Sequence, residues 1–127
     1  MSYIAKPKSE LLEHLDAIQS DLFPSPLPRK IKAFLADTAD ENGLQDECLD
    51  AVEGLIVRIS RCEDCGEMAR LVERADLKVQ ACLWERFLFL QQLTRQLPDD
   101  PHIVPATIGR YLRESLSALW HNHQSRK

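Results

Sequence analysis

Asp64 to Leu97, DCGEMARLVERADLKVQACLWERFLFLQQLTRQL, is the stretch whose reading decides the fold. It holds no proline, and no glycine after Gly66, so neither of the strong helix breakers interrupts it. Asp64-Cys65-Gly66-Glu67 has the form of a capping box: an aspartate that accepts from free amides, and a glutamate three residues later that reaches back. At the far end Leu97 precedes Pro98, and a residue before proline is pushed out of the helical region. The stretch therefore predicts one unbroken helix of about nine turns and ~50 Å, around which the rest of the chain packs.

Its two halves differ. From Met68 to Gln80 the pattern is amphipathic, with Met68, Leu71, Val72, Ala75 and Val79 against Arg70, Glu73, Arg74, Asp76 and Lys78. Ala81 to Leu90 is apolar on nearly every side, the pattern of a helix surrounded by neighbours. Positions 68, 72, 75, 79, 82, 89 and 93 keep close to a heptad spacing, which suits a bundle seam. Arg86 is the charge inside this run; it either extends to the surface past its apolar stem or pairs with an acid of the preceding helix.

Outward from this rod, Ser9 is the expected cap of a first helix with Leu11, Leu12, Leu15, Ile18 and Leu22 as its stripe. Pro24, Pro26 and Pro28 make a stiff corner, and Pro28 can open a second helix carrying Ile31, Phe34 and Leu35. A third helix is expected from Leu44 to Ser60, with Cys48, Val52, Leu55, Ile56 and Ile59 on one side; Gly54 in its middle suggests a close helix crossing. Residues 61–64 then turn the chain back into an antiparallel hairpin with the rod. After the break at Pro98 to Pro101, a last helix from about Pro105 carries Ile108, Tyr111, Leu112, Leu116 and Leu119.

These elements predict an all-α, five-helix bundle organised on one long helix, a single helical domain over 1–127 with 1–8 and 121–127 as flexible ends. The chain's 127 residues suffice for one core, and four glycines suit helices better than strands and turns. No apolar run reaches the ~20 residues of a membrane span and the N-terminus carries no apolar signal region, so the expectation is a cytoplasmic protein with free thiols. The net charge of -4 argues against a general polyanion binder. That average hides an asymmetry: Ala33 to Val57 contains Asp37, Asp40, Glu41, Asp46, Glu47, Asp50 and Glu53 and no lysine or arginine, whereas bases outnumber acids after Arg86.

Three function classes compete. The first is a non-catalytic regulatory or adaptor protein, self-associating as a homodimer or bound to a partner through the apolar rod surface at Trp84, Arg86, Phe87, Leu88 and Leu90. The second is a zinc- or thiol-responsive module built on Cys62-Glu63-Asp64-Cys65, because C-x-x-C lets two sulfurs hold one ion; His121 and His123 are the nearest histidine cluster to complete the set. The third is a DNA-binding regulator using the last helix, where Val104 to Arg113 superficially resembles a recognition helix but has prolines where helix and turn should be. No glycine-rich phosphate loop, G-x-S-x-G or H-E-x-x-H occurs. The adaptor reading leads; no enzyme activity and no cofactor is expected.

Overall fold

The computed structural model describes residues 7–38, 44–59 and 61–96, and among these every regular element is a helix. Its elements are α1 (Pro7–Leu22), α2 (Leu27–Asp37), α3 (Leu44–Ile59), α4 (Cys65–Arg74) and α5 (Leu77–Gln96). The all-α class and the central role of a long helix stand. The helix expected from about Pro105 lies outside the described residues, as do the histidine pair of the tail and residues 1–6.

The rod itself is broken. The Asp64 box forms as expected: Asp64 Oδ1 accepts from the Glu67 amide at 2.8 Å, and the Glu63 amide donates to Glu67 Oε2 at 3.1 Å. The helix so opened ends after three turns, at Ala75, whose backbone is extended (φ -73, ψ 158). A new helix starts behind Asp76, whose carbonyl accepts from the Gln80 amide at 2.9 Å. Two effects favour the corner over continuity. Gln80, buried in α5, turns its side-chain amide onto the carbonyls of Glu73 and Ala75 at the end of α4, and onto that of Val72, which also accepts from the Ala75 amide. Folding the stretch over also lets Met68 and Val72 of α4 share one core with Leu83, Phe87 and Leu90 of α5, whereas a straight rod would spread them along ~33 Å.

The corner fixes the topology. Cys48 near the start of α3 lies against the Lys78 carbonyl, and Glu53 further along α3 meets Arg86 further along α5, so these two helices run parallel. Between them α4 carries the chain back, its ~15 Å of rise matching the stretch of α3 it must retrace. The turn at residues 61–64 therefore makes its hairpin with α4, and α5 returns alongside α3. On the other side α1 runs antiparallel to α5: Gln91 Nε2 donates to Asp16 Oδ1 (2.5 Å) and Gln19 Oε1 (3.1 Å), while Phe23 reaches Trp84 and Phe87.

The stripes read from the sequence become the core. Leu15, Leu22, Ile31, Ile59, Val72, Leu83, Phe87 and Leu90 have no exposed surface. Burying a side chain of this size stabilises by ~1.5–3 kcal/mol. Phe23 stands edge-on to Trp84 with ring centroids 5.1 Å apart, a geometry that adds ~0.5–1.5 kcal/mol to the burial itself. Two local expectations are corrected. α1 begins at Pro7, two residues before Ser9, because a proline at the first helical position has no amide to leave unpaired. Gly54 is exposed, and a Cβ built there meets no atom within 4 Å, so no close crossing requires it.

Candidate functional site

The five residues proposed from the sequence as a partner surface divide sharply. Phe87 and Leu90 are completely buried and Trp84 nearly so. They face inward because α5 is wrapped on one side by α1 and α2 and on the other by α3; Trp84 packs on Phe23 and lies under Lys32 Nζ, 5.9 Å from the ring centre. These three are core, not surface. The all-round apolarity from Ala81 to Leu90 is the signature of a helix its own chain surrounds. Leu88 is exposed, and Arg86 is partly so.

Arg86 takes the second of its two expected arrangements. Its Nη1 sits 2.8 Å from Glu53 Oε1, joining α5 to α3. Around this pair stand apolar side chains that the sequence reading did not single out. Leu49 and Val57 lie one turn before and one turn after Glu53 on α3, and Phe89 lies one turn after Arg86 on α5. Leu49 is 46 % exposed, Val57 51 % and Phe89 50 %. Half-buried Leu93 continues the α5 row. The seam between two parallel helices thus carries apolar residues on both sides of an ion pair, with Asp50 exposed on the α3 flank. A spacing of eight, Leu49 to Val57, was present in the sequence, but it falls outside the core stripe and resembled isolated surface residues.

The cysteine motif is held by two separate interactions. Cys62 is buried, and its thiol donates to the Arg58 carbonyl at 3.7 Å; the Cys65 thiol donates to Asp21 Oδ2 at 3.5 Å, tying α4 to α1. Burial pushes the Cys62 thiol up, and the carboxylates of Glu67 and Asp64 add to the shift, while Arg58 and Arg70 oppose it. A raised pKa favours the inert thiol over the nucleophilic thiolate. Among the described residues no three histidine, cysteine or acidic side chains converge as a metal would require; His121 and His123 lie outside them. Cys48 and Cys82, distant in sequence, meet where α3 packs on α5, and the Cys82 thiol is pushed up to about 12 by burial first and then by its hydrogen bond with Cys48.

No helix among the described residues is long and apolar enough to cross a membrane. The chain matches no protein-family model, and no curated protein or solved structure is significantly similar to it.

Proposed function

We propose that this chain is a non-catalytic interaction module that receives an amphipathic helix of a partner protein along the seam between α3 and α5. The observation that carries the reading is the exposure of Leu49, Val57 and Phe89 about the Glu53–Arg86 pair. Leu49 and Val57 are two turns apart on one helix face, the spacing at which a docked helix presents successive apolar anchors. Val57 closes a segment, Ala33 to Val57, rich in acids and empty of lysine and arginine, so the matching helix carries basic residues beside its apolar stripe; such complementarity favours encounter and register. This seam lies one helix face away from buried Trp84, Phe87 and Leu90, and Arg86 is the residue that borders both.

The test uses exposed residues, so the fold survives the variants. A photo-crosslinking aromatic side chain replaces exposed Phe89 in the full chain and in its Leu49→Asp and Val57→Asp variants, so that every protein compared carries it. The expected result is a crosslink to a basic amphipathic segment of another protein, lost in both aspartate variants. A crosslink to a second copy, or to residues 97–127 of the same chain, would reassign the seam. Undiminished capture by both variants would end the proposal.

A further inference from the structure

Away from that seam, the turn between α3 and α4 opens a cleft of about 260 Å³ walled by Arg58 and Arg61 on one side and by Arg70 and Arg74 on the other. We propose that this cleft is a binding site for the phosphate group of a small organic phosphate monoester. The two pairs come from different elements. Arg58 is in the last turn of α3 and Arg61 in the turn that follows, where its amide donates to the Arg58 carbonyl at 3.1 Å, while Arg70 and Arg74, four apart, share one face of α4; the hairpin brings the pairs together at one cleft. Among the described residues none of the four guanidiniums forms an ion pair; the ion pair seen there is Arg86 with Glu53.

Glu67 lines the cleft as well, yet its carboxylate accepts from the Glu63 amide and the neighbouring Asp64 carboxylate from the Glu67 amide. Both acids are engaged in capping α4. The result is four permanently charged, planar donors converging on one cleft with one carboxylate among them. Guanidinium forks match phosphate oxygens in paired hydrogen bonds, and a dianion between the two pairs relieves the repulsion that their convergence creates. The cleft holds several times the ~30 Å³ that one water occupies, and Leu71 supplies an apolar wall between Arg70 and Arg74. Space and wall together suit a phosphate bearing a compact organic body better than a bare ion.

Phenyl phosphate is the probe, titrated into the full chain at low salt with backbone amide NMR and thermal unfolding as readouts. Saturable shifts confined to the turn and α4 are expected, with inorganic phosphate weaker. Arg70→Ala and Arg74→Ala should each weaken binding about tenfold, the loss of one good charge-assisted contact. Arg70→Lys should recover only part of it, because lysine keeps the charge and loses the fork. Glu67→Gln should tighten binding, since glutamine preserves the capping box and removes the opposing charge. Arg95→Ala on α5 and Leu49→Asp should leave it unchanged, which separates this site from the α3–α5 seam. Absent saturation, equal weakening by Arg95→Ala, or preference for inorganic phosphate overturns the proposal. So does tighter, length-dependent binding of a thymidine oligonucleotide to the same arginines, which would make the cleft a nucleic-acid contact.

Discussion

Gln80 and Val72 hold the corner on which the topology turns: the Gln80 side-chain amide donates to the Val72 carbonyl at 2.7 Å, with the Ala75 and Glu73 carbonyls at 3.1 and 3.2 Å. Helix ends leave carbonyls without partners, and a buried end must satisfy them from outside the ladder. Gln80→Leu keeps approximate volume and removes the donor. It should cost ~0.5–1.5 kcal/mol, the net worth of a lost hydrogen bond, because the Val72 carbonyl keeps the Ala75 amide as a second donor. Urea unfolding with an unchanged denaturant slope reads this directly. Stability equal to wild type would show that the corner depends on packing alone.

Gly54 gives the opposite sign. It lies in the middle of α3, is exposed, and has open space where a Cβ would stand. Glycine there leaves the unfolded chain more freedom than alanine would and helps no contact in the folded one. Gly54→Ala should therefore raise stability by ~0.4–1 kcal/mol, seen as a higher urea midpoint. A loss of stability would mean that something approaches α3 at this point in solution.

The core was legible because it is periodic. Leu11, Leu15, Ile18 and Leu22 fall on one stripe of α1 and Val52, Ile56 and Ile59 on one stripe of α3, and all are buried. The cap at Asp64 was legible because its side chain acts within three residues. The corner at Ala75 was not: the change from an amphipathic to an all-apolar pattern falls at Ala81, past the corner and already inside α5. No proline or glycine announces the break, and its support comes from a glutamine five residues beyond. Asp76 was read as one acid on a polar face; it opens α5. The site was hidden for a related reason. An apolar run says that a helix has neighbours and leaves open whether they belong to the same chain, so Phe87 and Leu90 looked like a surface and are core. Leu49, Val57 and the arginine cleft depend on which helices become adjacent, and that adjacency follows from the corner.

Glu53 and Arg86 join α3 to α5, but their contribution to stability is limited by water. The side chains are 45 % and 18 % exposed, so the pair belongs with surface ion pairs, whose coupling is ~0.2–1 kcal/mol. A double-mutant cycle with Glu53→Gln and Arg86→Met should return a coupling in that range that shrinks as salt is raised from about 0.05 to about 1 M. The stronger consequence is expected in recognition. Losing the pair removes the fixed charge at the centre of the proposed seam, so partner binding should fall further than stability does. Equal loss of both would reduce the pair to a structural tie.

Cys82 links the buried seam of α3 and α5 to alkaline behaviour. Burial, then the Cys48 hydrogen bond and the nearby Cys48 and Glu85 groups, raise its thiol from an ordinary 9.0 to about 12. Below pH 9 the thiol is protonated in folded and unfolded chains alike and its contribution is fully present. Between 9 and about 12 the unfolded chain gives up this proton first, so the unfolded state gains and stability falls, by at most ~1.4 kcal/mol per pH unit for one thiol. Cys62 is raised by burial as well and adds a decline of the same sign. Urea unfolding at pH 8 and at about 10.5 should therefore show wild type losing more stability than Cys82→Ala, even though the variant starts lower for the cavity it leaves. Iodoacetamide at pH 8 supplies the kinetic counterpart, since the thiolate is the attacking form: half-buried Cys65 should be alkylated well before Cys82. Equal alkaline slopes in the two proteins, or comparable alkylation rates at the two cysteines, would mean that the contact between α3 and α5 opens far more readily than its packing implies.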